Sequence, residues 1–216
     1  MASAARVPTD WSKYAALPHG PGTEFLFFKP MERAYRRLLR HARFAGPVSI
    51  LELGCGTATI SRRLAGLLAA TRVTLVDNNP AMLARARSTF AGSEAAVHIA
   101  DESVLAFADG RSYSLVHSGG LVEHFPDAER ERLMRIHAER TAPGGYCIVF
   151  VPTPLIAYRV LRRAREWLGL WLYTDEVPMP RRQLVAEVEA AGLTVVAVTY
   201  FWRWWLTEVG VLAIKR

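Results

Sequence analysis

The chain has few cysteines and lacks a long apolar run. Cys55 and Cys147 are its two cysteines, which are too few for a disulfide scaffold, so the cytoplasm is the expected compartment. No stretch of about 20 uncharged apolar residues occurs, which predicts that no helix spans a membrane. Residues 1–30 mix charged side chains with prolines, unlike a signal peptide. Its 216 residues, 51% of them hydrophobic, predict one folded domain over 1–216.

Positive charge is concentrated in two segments. Lys and Arg number 27 against 20 Asp and Glu, and the excess lies in residues 31–43 (+4) and residues 153–173 (+3). Enzymes that act on nucleic acid usually spread their basic surface more widely. Nucleic acid is therefore an unfavoured partner.

Strands and helices alternate along most of the chain. Helices are predicted over 31–43, 59–69 and Asp127–Glu139, and a further helix starts at Pro80 with Asn79 as its N-cap. This alternation argues for a parallel sheet covered by helices on both faces, an α/β fold. The predicted strands cover residues 48–53, 71–77, 95–101, 112–118 and 146–151, and strands 193–200 and 207–215 form a closing hairpin.

A glycine-containing segment, Glu52-Leu-Gly54-Cys-Gly56-Thr-Ala58, joins the first strand to the helix that follows. Glycines here let the backbone approach a ligand closely, and the N-terminus of the helix favours negative charge. The dinucleotide fingerprint G-x-G-x-x-G does not fit, because its third glycine would fall on Thr59.

The same segment fits E-x-G-x-G-x-G with Ala58 in the last position, and so it resembles motif I of the class I methyltransferases that use S-adenosylmethionine. The resemblance extends over residues 48–152. It implies a doubly wound, Rossmann-like sheet of seven strands in the order 3-2-1-4-5-7-6 with an antiparallel terminal hairpin. It also implies an N-terminal cap over 1–45, a lid insert over 153–177, and S-adenosylmethionine as the cofactor.

The resemblance places cofactor contacts where the strands end. Asp77 is expected to bind both ribose hydroxyls, because one carboxylate can accept two hydrogen bonds. Asn78 would lie beside the adenine, and Asp101 would meet the adenine amine. The expected cofactor-binding residues are Glu52, Gly54, Gly56, Asp77, Asn78, Asp101, Glu102 and Ser118.

Two histidines near the fourth strand are candidates for a catalytic base, since imidazole titrates near neutral pH. They are His117 and His124, and either could instead be a core or capping histidine. The pair Glu123-His124 resembles the quinone O-methyltransferases, which bind a metal through Glu-x-x-Glu-His. Gly120 stands at the first of those positions here, so no metal is predicted, and Glu123 is retained as a catalytic candidate.

In such enzymes the N-terminal segment and the stretch after the fifth strand form the walls of the acceptor site. Aromatic residues are frequent in both segments of this chain. Trp11, Tyr14, Tyr158 and Trp167 are the expected substrate contacts, although packing between lid and core is an alternative for such positions. The full sets are Trp11, Tyr14, Phe25, Phe27 and Phe28 in the first segment, and Tyr158, Trp167, Trp171 and Tyr173 in the second, with Trp202, Trp204 and Trp205 in the terminal hairpin.

These features predict methyl transfer from S-adenosylmethionine to a small, aromatic or lipid-like acceptor, with oxygen favoured over nitrogen as the methylated atom. The alternatives are an RNA or protein methyltransferase, and a catalytically silent subunit that still binds the cofactor. Residues 155–172 form an amphipathic pattern of tryptophans and arginines, which predicts weak, peripheral contact with an anionic membrane surface.

Overall fold

The computed structural model describes residues 7–16, 20–24, 28–203 and 206–216. Its centre is a seven-stranded sheet in the order β3-β2-β1-β4-β5-β7-β6, in which the last strand pairs are antiparallel. This confirms the predicted α/β class, strand order and terminal hairpin. Phe25, Phe27, Trp204 and Trp205, which the sequence placed in the acceptor walls and the hairpin, lie outside the described residues.

The strands and helices have the following bounds along the chain. The strands are β1 (Ser49–Leu53), β2 (Arg72–Asp77), β3 (Ala96–Asp101), β4 (Tyr113–Gly119), β5 (Thr141–Pro152), β6 (Thr194–Arg203) and β7 (Leu206–Ile214). The helices are α1 (Trp11–Ala15), α2 (Pro21–Thr23), α3 (Lys29–Leu39), α4 (Thr59–Leu67), α5 (Pro80–Thr89), α6 (Asp127–Arg140), α7 (Ile156–Trp167) and α8 (Arg181–Ala190), with a 3₁₀ turn over Val122–His124.

Two local features depart from the sequence prediction. Helix α8 has no counterpart in it, because a short segment after prolines gave no distinct periodic signal. The predicted turn at 143–145 lies inside β5, where the pairing jumps from Tyr113–Thr141 to Leu115–Tyr146. The intervening residues therefore bulge out of the strand, with Gly144 at a φ of 73°.

The core forms two layers, one on each face of the sheet. One layer packs α3, α4 and α5 against the sheet around Tyr35, Leu64 and Leu83, and the other packs α6 and α8 around Leu133 and Leu184. Strands β1 to β5 run parallel, so their carboxyl ends meet at one edge. In open α/β sheets this edge is where ligands bind.

Candidate active site

The loop after β1 has a backbone that requires glycine. Gly54 has a φ of +66°, and a Cβ there would lie 2.6 Å from Leu121 Cδ1. Gly56 and Ala58 are also left-handed, at φ of 50° and 54°. Ala58 therefore keeps the backbone shape of the glycine that motif I has at this position. At Gly56 a built Cβ would meet only Met82 Sδ, at 3.9 Å, so a ligand can approach the backbone at this residue.

Asp77 holds this loop in place from the end of β2. Its Oδ2 accepts a hydrogen bond from Gly56 N at 2.8 Å, and its Oδ1 accepts one from Asn79 N at 2.9 Å. Asn79 caps α5 as predicted, accepting hydrogen bonds from Ala81 N and Met82 N. One carboxylate thus connects the glycine loop to the start of the next helix, and it lies at the wall of a cavity.

That cavity measures about 470 Å³ and lies at the carboxyl edge of the sheet. Its floor includes Glu52, Gly54, Gly56, Asp77 and Asn78, and its other walls come from the N-terminal segment and from residues 171–176. The volume lies within the usual range of small-molecule sites. The structure therefore brings five of the eight expected cofactor residues together.

Glu52 gives a test of whether these residues fit a cationic cofactor. Its side chain is buried, and its Oε2 has no hydrogen-bond partner among the described residues. Burial, and next the nearby Asp77 charge, raise the pKa of Glu52 to about 8 even though Ser61 donates a hydrogen bond to it. A carboxylate in this state gains from an added cation, and S-adenosylmethionine carries both a sulfonium and an ammonium group. The buried carboxylate of Glu52 therefore fits that cofactor.

His124 is fixed in the cavity wall by Asp175, a residue that sequence reasoning missed. The Nδ1 of His124 lies 2.6 Å from Asp175 Oδ1. A carboxylate can only accept, so Nδ1 carries the proton and Nε2 is left as the acceptor of the neutral ring. Thr9 donates to Asp175 through both its backbone N, at 3.1 Å, and its hydroxyl. Burial alone would raise the pKa of Asp175, but these hydrogen bonds outweigh it and lower the pKa to about 2.

Glu123 and Glu176 form an acidic cluster with His124. Glu123 has no exposed surface, and neither of its carboxylate oxygens bonds to another described residue. Glu176 is buried and accepts a hydrogen bond from the Tyr158 hydroxyl. One ligand atom from each of Glu123, His124 and Glu176 lies within 4.8 Å of the others, so the three side chains are close enough to hold one cation. Burial, and next the charge of Glu176, raise the pKa of Glu123 well above its usual range.

No spacing rule in the sequence connects Glu176 or Asp175 to the Glu123-His124 pair, some 50 positions earlier. The one available signal was that Asp175 and Glu176 are acidic residues near the end of an otherwise basic insert. Because Gly120 stands where the motif has a glutamate, the set of metal ligands in the sequence was incomplete. In the folded chain the second acidic group, Glu176, comes from the insert instead.

The positions of His117, Ser118 and Trp167, which lie outside this cavity, correct the sequence interpretation. His117 is fully buried between the Tyr35 hydroxyl, 3.1 Å from Nδ1, and the Ser61 hydroxyl, 2.9 Å from Nε2. Burial, and next the His137 charge, lower the pKa of His117 to about 3, so it is a neutral core histidine and not a base. Ser118 is also buried, with its hydroxyl 2.9 Å from His137 Nε2. Trp167 is 85% exposed on α7 and does not reach the acceptor wall.

The remaining expected residues lie at or next to the cavity. Trp11, Tyr14 and Tyr158 line it, as do Trp171 and Tyr173. Asp101 lies opposite Asp77 in the β2–β3 register. Ser103 and Val104 line the cavity rather than Asp101 and Glu102. The adenine contacts of Asp101 and Glu102 remain predictions.

The fold and the glycine loop agree with the comparisons to known proteins. Residues 50–145 match the family described as a methyltransferase domain. This match agrees with the resemblance of motif I to the class I S-adenosylmethionine-dependent methyltransferases, the class whose methyl donor is S-adenosylmethionine.

Individual relatives share the fold at low identity. Trans-aconitate 2-methyltransferase of Streptomyces coelicolor is 31% identical over 165 residues, which are 69% of this chain and 52% of that protein. The chain therefore spans about half the length of this curated relative. Magnesium protoporphyrin IX methyltransferase from Synechocystis, solved with S-adenosylhomocysteine, superimposes with a TM-score of 0.71 at 12% identity, covering 95% of this chain and 93% of that chain. The N-methyltransferase NodS from Bradyrhizobium japonicum, also solved with that product, gives 0.68 at 17% identity, covering 94% and 95%.

Proposed function

We propose that the protein transfers the methyl group of S-adenosylmethionine to a small acceptor with an aromatic or lipid-like body. The observation that carries this proposal is the position of the His124–Asp175 pair, in the wall of the same cavity as the glycine loop and Asp77. A donor site and a base that share one cavity are what a transfer between two small molecules needs.

Methyl transfer from a sulfonium is an in-line displacement, in which the enzyme aligns the acceptor atom and takes up its proton. His124 is suited to the second task, because Asp175 holds Nδ1–H and leaves Nε2 to receive a proton. Asp175 also stabilises the imidazolium that forms. Hydroxyl oxygen and amine nitrogen both carry such a proton, with oxygen favoured by the sequence analysis.

Aromatic side chains favour an acceptor with an apolar body. We assign residues 1–45 as a cap and residues 153–177 as a lid over the cavity. The ring of Trp11 packs edge-on against His124, with centroids 4.9 Å apart, and Trp171 packs against Tyr173 at 5.7 Å. Rings of this kind bury a flat or apolar molecule efficiently.

The acceptor differs in charge from the one named for the curated relative. Trans-aconitate is an anion, and binding it needs basic side chains. The residues that line the cavity include seven carboxylates, whereas no Lys or Arg is found among the described lining residues. Anionic acceptors are therefore not assigned to this protein.

Incubation with methyl-labelled S-adenosylmethionine and host extract tests the proposal. We expect label in small organic molecules, identified by mass spectrometry. Label in RNA or protein would contradict the small-molecule assignment in favour of a macromolecular methyltransferase. Binding of S-adenosylhomocysteine with no labelled product would indicate a silent subunit.

We propose a second property, peripheral docking of the cytoplasmic protein to an anionic membrane surface through α7 and the residues that flank it. Within the described residues no helix is both long and apolar enough to cross a membrane. Apolar side chains of α7 are exposed, with Ile156 at 82%, Val160 at 65% and Trp167 at 85%. Leu168 and Leu170 continue the exposed patch beyond the helix.

Exposed arginines next to this patch favour an anionic surface over another apolar partner. Arg159, Arg163 and Arg165 are exposed, whereas Arg162 is engaged: it donates hydrogen bonds to Glu166 and to Glu176 O and lies 5.3 Å over the ring of Trp171. Apolar and basic side chains on one helix are the composition that binds a lipid interface.

Replacing Arg159, Arg163 and Arg165 together by glutamine should abolish binding to anionic vesicles. Each basic residue near such a surface adds about 1 kcal/mol, so three together are worth about 100-fold in affinity. Co-sedimentation at low and high salt measures the effect, and neutral vesicles should recover little protein. Arg162 is left unchanged because it anchors the insert.

The matched control replaces Arg132, Arg181 and Arg182, which are exposed on α6 and α8. It removes the same charge from another part of the surface and should leave co-sedimentation close to that of the wild type. Equal recovery of the α7 triple variant and the wild type would contradict the docking proposal.

A further inference from the structure

Glu123, in the acceptor half of the cavity, has no hydrogen-bond or ion-pair partner among the other described residues, whereas its neighbour Glu176 has Arg162 Nη1 at 3.9 Å from Oε1. Glu123 is completely buried, it lines the cavity, and its two oxygens have no partner in another described residue. A buried carboxylate in this state is costly unless a cation pairs with it. Glu123 therefore indicates a positively charged ligand, since no Lys or Arg is found among the described residues that line the cavity.

The spacing of the cluster suits a nitrogen that donates several hydrogen bonds. One ligand atom each from Glu123, Glu176 and His124 lies within 4.8 Å of the others. Three acceptors that each lie about 2.8 Å from one tetrahedral ammonium nitrogen are about 4.6 Å apart. Two of these residues offer carboxylates, and the third is His124, whose Nε2 Asp175 leaves unprotonated.

Aromatic rings stand beside the cluster and favour an organic cation. Trp11 and Tyr173 lie 4.9 Å and 6.3 Å from the His124 ring, and the Trp171 ring lies 6.0 Å from that of Tyr158. Ring faces attract ammonium groups and at the same time bury the carbon body attached to them. A cavity that combines carboxylates with such rings has the composition of an amine site.

We propose that the acceptor is a primary amine with an aromatic or apolar body, bound as its ammonium ion by Glu123 and Glu176, and that its nitrogen is the atom methylated. This inference rests on the proposed methyl transfer and names its substrate class. It reverses the order of oxygen and nitrogen that the sequence analysis favoured.

The reaction balances without a further reactant. The ammonium gives one proton to His124 Nε2, and the freed lone pair attacks the methyl carbon. The new N–C bond forms as the S–C bond breaks, and the electron pair of the S–C bond stays on sulfur. The products are a secondary methylammonium and neutral S-adenosylhomocysteine, and the proton on His124 passes to solvent. Glu123 and Glu176 hold the nitrogen throughout.

Three probes with the same ring and different charge test the assignment: 2-phenylethylamine, 2-phenylethanol and 3-phenylpropionate. Titration calorimetry with the full chain saturated by S-adenosylhomocysteine should show the amine binding at least about tenfold tighter than the alcohol, with the carboxylate weakest. With labelled S-adenosylmethionine, the amine should gain one methyl group on nitrogen, as seen by mass spectrometry.

Glu123→Gln and Glu176→Gln should each weaken amine binding by about 10- to 100-fold while the weak binding of the alcohol stays unchanged. The matched control is Glu189→Gln, an exposed residue of α8 that does not line the cavity. Glu123→Gln should also keep or raise the thermal midpoint of the ligand-free protein, since neither carboxylate oxygen of Glu123 has a partner among the described residues that the substitution would remove. A merely structural glutamate would give a lower midpoint.

Several results would overturn the amine assignment. One is similar affinity for all three probes, and another is no binding of the amine to a protein that still binds S-adenosylhomocysteine. A third is stoichiometric binding of Mn²⁺ in the absence of amine that Glu123→Gln abolishes, because the cluster would then be a metal site. Failure of the wild type to bind S-adenosylhomocysteine would instead contradict the methyl-transfer proposal itself.

Discussion

Replacing Asp77 by alanine is expected to weaken S-adenosylhomocysteine binding by about 10²- to 10⁴-fold. Asp77 connects Gly56 N to Asn79 N, and the family resemblance adds the ribose hydroxyls as its ligands. Hydrogen bonds to a charged group contribute about 1.5–3 kcal/mol each, so loss of two of them gives this range. Titration calorimetry on both proteins measures it.

The control for this substitution is Asp127→Ala. Asp127 begins α6, is 96% exposed and pairs with Arg130, so its loss removes an equal charge without touching the glycine loop. We expect its affinity for the product to match the wild type. Unchanged binding by Asp77→Ala would contradict the role assigned to the end of β2.

Replacing His124 by alanine is expected to lower turnover by about 10²- to 10⁴-fold while cofactor affinity stays nearly constant. In the proposed function this side chain supplies the nitrogen that receives the proton of the acceptor, and it lies outside the glycine loop. Steady-state kinetics with the acceptor that the labelling experiment identifies, together with calorimetry, separate these two effects.

The Asp175→Asn variant refines this prediction. An asparagine oxygen can still accept from His124 Nδ1, but it cannot stabilise the imidazolium by charge, so turnover should fall less than in His124→Ala. If turnover in His124→Ala equalled that of the wild type, the base would have to be another group. His117 is unsuitable as that group, because it has no exposed surface and is bonded at both ring nitrogens.

Local sequence signals predicted most of the sheet and the cofactor end of the cavity. Motif I lies on one strand-loop-helix unit, and Asp77 lies at the end of the adjacent strand β2. Their geometry therefore follows from short-range backbone preferences and parallel pairing. The Asn79 cap was predicted for the same reason, since a cap and its helix are neighbours in the chain. These features depend little on how distant segments pack.

The acceptor end of the cavity could not be predicted in this way. Whether His117 or His124 faces the cavity depends on the side of the sheet edge on which each one lies. His117 is buried because α3 and α4 place Tyr35 and Ser61 against its ring. The aromatic residues of the insert divide similarly: Tyr158 is buried in the wall, and Trp167, nine residues later, is exposed. Helical periodicity places them on different faces but does not say which face the domain covers.

The sequence alone determined the fold class, the strand order through its family resemblance, and the cofactor, because these depend on local pattern and on a contiguous motif. Only the tertiary structure brought Asp175 and Glu176 to His124 and Glu123, across about 50 residues. Such a meeting depends on the path of the insert over the sheet edge, stabilised by Val177 N donating to Glu123 O at 3.0 Å. Long-range packing of this kind leaves no periodic trace in the chain. That is why the acidic lining at the acceptor end of the cavity became evident only from the folded structure.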